Sequence, residues 1–217
     1  MTNELLFSEY TNQNHASLGQ LINDLFEHAT SALLVVRVDF LYRPEVREQI
    51  TLETVQEHRC RFLDNRRRNR TLFEHLLGYA WSLEYGLLSG FHHHFLFFYN
   101  GQARQADITL GLGIASYFDT VITNGLTHSY VSNFDKMKFE KTGTLGIGAI
   151  AHNEITLRNN LLNHVAGYLT KDTIDSGVQE CMEEDAAFRR FGKSQSPRPR
   201  STLINPVGRP RSAEMKW

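Results

Sequence analysis

Apolar residues dominate Trp81–Gly101, WSLEYGLLSGFHHHFLFFYNG, alternating with polar ones in its first half. Two apolar runs flank a short turn at Gly86–Gly90, the pattern of a β-hairpin. Side chains alternate faces along a strand, so Phe91, His93, Phe95, Phe97 and Tyr99 share one face. His92, His94, Leu96 and Phe98 share the other. In the first strand Trp81, Leu83 and Tyr85 point one way, and Ala80, Ser82 and Glu84 the other. A turn symmetric about Leu88 sets Glu84 opposite His92 and Ser82 opposite His94.

Elsewhere the pattern changes period. Leu18, Leu21, Ile22, Leu25 and Phe26 form a helical stripe over His15–Thr30, preceded by a polar, loosely held start. Ala32–Leu41 reads as a strand with Leu34, Val36, Val38 and Phe40 on one face and Val35, Arg37 and Asp39 on the other. Two charges at alternate positions of such a strand form either a structural ion pair or part of the same cleft as the histidines. After Pro44 comes a helix with a sparse apolar face of Leu52, Val55, Phe62 and Leu63, ending in Arg66, Arg67, Arg68 and Arg70.

Gln102–Asn124 reads as a crossover helix carrying Ile108, Leu112, Ala115, Tyr117, Phe118, Val121 and Ile122, weakened by Gly111 and Gly113. Thr127–Ser132 and Gly146–Ala151 are strand candidates, joined by a loop holding Lys136, Lys138 and Lys141. Asn153–Lys171 is helical. Its buried stripe is Leu157, Leu161, Val165 and Leu169, and Asn160, His164, Tyr168 and Lys171 lie on a neighbouring stripe. Gly167 there allows close approach of another backbone or a ligand. Beyond Gly177 the chain is acidic, then basic. RRFGKSQSPRPR has no apolar period and reads as a turn or two followed by an extended arm.

Composition adds bounds. The 217 residues are 41% hydrophobic and 22% charged, enough for one ample domain or one domain with appendages. A net charge of −1 gives no global footprint for nucleic acid, so any such contact rests on local clusters. Two cysteines, Cys60 and Cys181, stand in no metal-type spacing, and a reducing cytoplasm is the default compartment. No run is long enough to span a bilayer.

The candidate chemistry lies in the hairpin. A carboxylate, Glu84, and two imidazoles, His92 and His94, converge on one sheet face, the donor set of a metal site with open positions. A histidine in a strand can equally be a hydrogen-bonded structural residue. The arginine run is a solvated face or a phosphate-contact patch.

A His–x–His strand with a carboxylate shortly before it, followed by a helix bearing Tyr–x–x–Lys, resembles the HUH endonucleases, the rolling-circle replication initiators and relaxases. LLVVRVDFLY, EYGLLSGFHHHFLFFYNG, VAGYLTK and RRFGKSQ resemble more closely the YagK/YfjJ C-terminal-type family of prophages and inovirus-like elements. The resemblance covers about Leu33 to Gln195. The middle histidine position, usually hydrophobic there, is His93. His93 is thus a packed imidazole, or the pairing is shifted by one residue.

The resemblance implies an α+β domain with a central antiparallel sheet, ferredoxin-like in the HUH manner. Residues 31–177 would form it, with 1–30 as an N-terminal extension and helix and 178–217 as a basic tail. It implies a metal-dependent single-strand DNA nicking and joining enzyme that initiates replication of a phage or mobile element. Tyr168 would be the nucleophile and Lys171 its cation. His92, His94 and Glu84 would hold Mg²⁺ or Mn²⁺. Arg37, Arg66, Arg67, Arg68, Arg70, Arg189, Arg190 and Lys193 would contact single-stranded origin DNA. No GxxxxGK[ST] loop is present, so unwinding would need a separate helicase partner, and the resemblance implies a bacterial cytoplasm. A non-catalytic DNA-binding regulator on the same scaffold and a divergent relaxase are the alternatives.

Overall fold

A computed structural model describes residues 3–29, 31–171 and 189–197. The chain is α+β. Six antiparallel strands form one sheet, with helices packed on both faces. In order these are helix α1 (Asn3–His28), strand β1 (Ala32–Tyr42), helices α2 (Leu52–Asn65) and α3 (Arg70–Phe73), and the hairpin of β2 (Leu76–Gly86) and β3 (Gly90–Asn100). Helix α4 (Asp107–Tyr117) then runs into a π turn, Phe118–Ile122, before strand β4 (Thr127–Val131). Helix α5 (Lys136–Lys141) and strand β5 (Gly148–Ala151) follow. Helices α6 (Ile155–Asn160) and α7 (Gly167–Thr170) are joined by a π turn, Leu161–Ala166, and strand β6 (Phe191–Lys193) comes last.

Strands lie in the order β4-β1-β3-β2-β6, with β5 also paired to β1. From β1 to β4 the connections run β-α-β-β-α-β, the split βαβ arrangement. The histidine strand β3 is therefore in the middle of the sheet. Helices α2 and α4 cover one face, where Phe40 stacks on Phe118 with ring centroids 3.9 Å apart. Helix α1 and the α6–α7 helix cover the other, on Leu33, Val35, Ala80, Leu96 and Phe98.

The hairpin register is the one the alternation predicts: Ser82 pairs with His94, Glu84 with His92, and Gly86 with Gly90. Gly90 has φ 65°, which glycine adopts without steric cost. On the α1 side, three adjacent strands change from apolar to polar at one level. Along β3 the series is Phe98, Leu96, His94, His92, and along β1 it is Leu33, Val35, Arg37, Asp39. Along β2 it is Ala80, Ser82, Glu84. The candidate site begins where this side of the core ends.

Several expectations are corrected. Helix α1 begins at Asn3, well before His15. The lysine loop is helical, as a 3₁₀ turn at Ser132–Asp135 and then α5. Of the apolar residues expected in the crossover helix, Ala115, Phe118 and Ile122 are buried and Leu112 and Val121 are exposed, while Leu110 and Ile114 join the core. Gly111 sets this orientation. It is where α4 meets the sheet, and a Cβ there would stand 2.5 Å from Val131. Close approach is not needed at Gly167, whose Cβ would meet only His15 at 4.0 Å.

The residues 189–197, expected within a turn and arm, include the edge strand β6, with Lys193 paired to Ala80 and Gly192 to Trp81. A Cβ on Gly192 would stand 2.6 Å from the Trp81 ring, so glycine is required there. The remainder of the expected tail lies outside the described residues. Among the described residues no helix is long and apolar enough to cross a membrane.

Candidate metal centre

Glu84, His92 and His94 meet on the α1 side of the sheet, and one ligand atom from each lies within 4.8 Å of the others. Glu84 Oε2 is 3.6 Å from His92 Nε2 and 3.5 Å from His94 Nε2. Two donors each ~2.1 Å from one ion stand roughly 3–3.5 Å apart, so this spacing fits a shared cation.

The ring orientations are set from behind. Nδ1 of His92 is 3.0 Å from the Gly90 carbonyl, and Nδ1 of His94 is 2.7 Å from Asp39 Oδ1. A carbonyl or carboxylate can only accept, so each Nδ1 carries the proton and each Nε2 presents its lone pair to the cluster. Ser82 Oγ, buried beside His94, has no hydrogen-bond partner among the described residues. An ion with bound water is one means of satisfying such an atom. The donor set therefore fits a divalent ion.

Electrostatics agree. Burial opposes the charged form of Glu84, but the neighbouring His92 and His94 and the charge of Lys171 outweigh it, holding the carboxyl well below the usual range. Asp39 is likewise lowered despite burial, by His94 and Arg37. His94 is raised, because Asp39 and Glu84 outweigh the desolvation of its imidazolium. The two carboxylates, Asp39 and Glu84, favour positive charge between them, which a proton on His94 or a bound cation supplies.

His93 lies on the opposite face, 1% exposed, with its ring 5.9 Å from Trp81 and 5.8 Å from Phe95. Burial, with Arg59 nearby, pushes its pKa well below the ordinary histidine value. It is the packed imidazole of the two alternatives.

Tyr168 reaches the cluster from the α6–α7 helix. Its hydroxyl is 3.4 Å from His94 Nε2. The Arg37 guanidinium stands 4.4 Å and the Lys171 ammonium 3.8 Å from its ring centroid. Lys171 is the C-cap residue rather than part of the helix, and its Nζ is 3.4 Å from Glu84 Oε1. The buried stripe here repeats every four residues, longer than the 3.6 of an α-helix, and the π turn at Leu161–Ala166 absorbs the difference.

Arg37 is clasped by Asp39 through two contacts of 3.2 Å. Asp39 also meets His94, and Arg37 packs on the Tyr168 ring, so the two readings of this charged pair hold together. The other candidate DNA contacts stand apart. Arg66 stacks on Tyr79 at 4.3 Å, and Arg70 pairs with Glu74 at 2.7 Å. Arg67 and Arg68 are exposed. Arg189 and Arg190 lead into β6 through their backbone carbonyls, which accept from Arg59 and Leu83. Lys193 lies within β6.

The contact sequence reasoning missed is Asp39 on His94. Its signal was present: once β1 pairs with β3, the polar positions of that face, Asp39 and His94, fall opposite each other. No protein-family model, curated protein or solved structure matches the chain.

Proposed function

We propose that the protein cleaves and rejoins single-stranded DNA by transesterification, initiating replication of a phage or mobile element. The observation that carries this reading is the Tyr168 hydroxyl, 3.4 Å from the nitrogen that His94 directs at the metal cluster. Tyr168 attacks the phosphorus as the bond to the 3′-oxygen breaks. The products are a phosphotyrosine on the 5′ end and a free 3′-hydroxyl, with the phenolic proton released and one taken up by the departing oxygen.

Tyr168 is held in place by its packing against His94, at 5.1 Å between ring centroids. Such positioning contributes much of the rate in reactions of this kind. Lys171 and Arg37 supply positive charge for the oxygen that attacks and for the phosphate. A divalent ion, Mg²⁺ or Mn²⁺, held by Glu84, His92 and His94 would act as a Lewis acid on the non-bridging oxygens. The arginine cluster at residues 66–70 would hold the backbone of the strand. A separate helicase would open duplex DNA, and the bacterial cytoplasm would be the compartment.

The test is incubation with labelled single-stranded DNA from the element's own origin, with and without Mn²⁺. A covalent protein–DNA adduct on a denaturing gel is expected with Mn²⁺. Tyr168→Phe should bind DNA and metal yet form no adduct. Tight binding by the wild-type protein without an adduct, whatever the divalent ion, would favour the non-catalytic regulator.

A further inference from the structure

A cavity of about 240 Å³ opens beside Tyr168, between the α6–α7 helix and the segment that follows α5. Arg37 and Tyr168 line it on the side of the metal cluster, and Phe139, Thr144, Ile147 and His164 line it elsewhere. The lining is mixed. Two aromatic rings and an isoleucine offer flat apolar surface, while a guanidinium, a hydroxyl and an imidazole offer hydrogen-bonding groups. A bare phosphate would leave the apolar half unused. A heteroaromatic ring with a polar edge uses both halves.

The walls are fixed in advance. The Asn160 amide donates to the carbonyls of Gly143 at 3.0 Å and Leu145 at 2.9 Å, tying the segment to the helix. At Gly146 the two backbones touch, since a Cβ there would stand 2.5 Å from Leu161 N. His164 belongs to the π turn that begins at this contact. Deviations of this kind, a π turn and a backbone-to-backbone glycine, concentrate at functional sites.

Tyr168 belongs to both cavity and cluster, because it lines the first and its hydroxyl meets His94 of the second. Arg37 joins them too, through Asp39. Resting on the nicking reading, we propose that this cavity receives one unstacked nucleobase next to the scissile phosphate. It thereby decides which nucleotide the protein prefers at that position.

The experiment compares four single-stranded homopolymers, dA, dC, dG and dT of twelve nucleotides, by fluorescence anisotropy on the full chain with Mn²⁺. The wild-type protein should bind the best and worst with roughly tenfold different affinity. Homopolymers also differ in flexibility and stacking, so the variants decide the matter. Thr144→Phe, which fills the cavity, should shrink the spread below about threefold while leaving Mn²⁺ affinity unchanged. His164→Ala, at an exposed position that tolerates truncation, should narrow the spread or reorder it even if Thr144→Phe fails to fold. A spread that survives in the variants, or tight wild-type binding without one, overturns the cavity assignment and leaves the nicking reading standing. No binding to any homopolymer and no adduct with origin DNA removes both.

Discussion

The Asp39 carboxylate accepts a hydrogen bond from Nδ1 of His94 at 2.7 Å while the same carboxylate clasps Arg37. One buried acid thus orients a metal-directed imidazole and a cation that packs on the Tyr168 ring. Partners of this kind typically carry about 10- to 100-fold in metal affinity. Asp39→Asn keeps the size and an acceptor but loses the charge. Calorimetric titration with Mn²⁺ should show affinity reduced about tenfold, with the fold retained by circular dichroism. Unchanged affinity would mean that His94 does not depend on Asp39 for its orientation.

The Glu84, His92 and His94 cluster makes a second prediction. A ligand that binds only the folded state stabilises it by about 2.7 kcal/mol at one hundred times its dissociation constant. Mn²⁺ should therefore raise the melting temperature of the wild-type protein. His92→Ala combined with His94→Ala should abolish both the binding heat and that rise. Glu84→Gln should weaken binding without abolishing it, since both imidazoles remain. A melting temperature that still rises with Mn²⁺ in the double variant would place the ion elsewhere.

His93 separates the two faces of β3. Its side chain lies on the face opposite the cluster, so His93→Phe should leave Mn²⁺ affinity unchanged. Its Nε2 is buried without a partner among the described residues, and phenylalanine removes that unsatisfied group. Stability at pH 7 should change by less than ~1.5 kcal/mol. The pH response carries the sign. The folded-state pKa is well below 6.5, so between the two values the unfolded chain binds the extra proton. Wild-type stability therefore falls as pH drops below about 6.5. Urea unfolding in chelator from pH 7 to 5 should show a shallower loss for His93→Phe, and equal slopes would contradict the buried neutral imidazole.

The hairpin was legible because period-two alternation and a glycine-bounded turn determine both face and register. Glu84, His92 and His94 followed from that alone. Asp39 did not, because its meeting with His94 depends on pairing across some 55 residues of intervening chain, which no local pattern encodes. The buried face of α4 was not legible because its glycines read as weak points, whereas Gly111 is the contact that lets the helix sit on β1 and β4. The strand at Phe191–Lys193 was hidden by its brevity, three residues without an apolar run. Its pairing comes from the edge of β2, not from propensity of its own.

The arginine cluster is not uniform, and salt dependence should reveal it. Arg67 and Arg68 are exposed, whereas Arg66 packs on Tyr79 and Arg70 pairs with Glu74. Phosphate contacts release counterions, with a slope near −0.7 per contact on single strands. Arg67→Ser with Arg68→Ser should weaken single-stranded DNA binding and flatten the log–log salt slope by roughly 1.4. Mn²⁺ affinity should not move. An unaltered slope would remove these two residues from the strand's path.

Lys171 touches both halves of the site, and its removal should push them in opposite directions. Its ammonium is 3.4 Å from Glu84 Oε1 and 3.8 Å from the Tyr168 ring centroid. Toward a metal it is a competitor, a positive charge already leaning on a ligand carboxylate. In the proposed cleavage it would be a helper, a cation over the Tyr168 ring whose oxygen gains charge during attack. Lys171→Ala should therefore bind Mn²⁺ a few-fold more tightly at low salt, with the gain shrinking as ionic strength screens the charge. The same variant should form the protein–DNA adduct more slowly, by roughly ten- to a hundredfold, at saturating Mn²⁺. Lys171→Arg keeps the charge and should recover most of the adduct rate. Weaker Mn²⁺ binding in Lys171→Ala would mean that the lysine holds Glu84 in its ligating position. Tighter binding with an unchanged adduct rate would confine it to the metal and leave Arg37 as the cation that serves Tyr168.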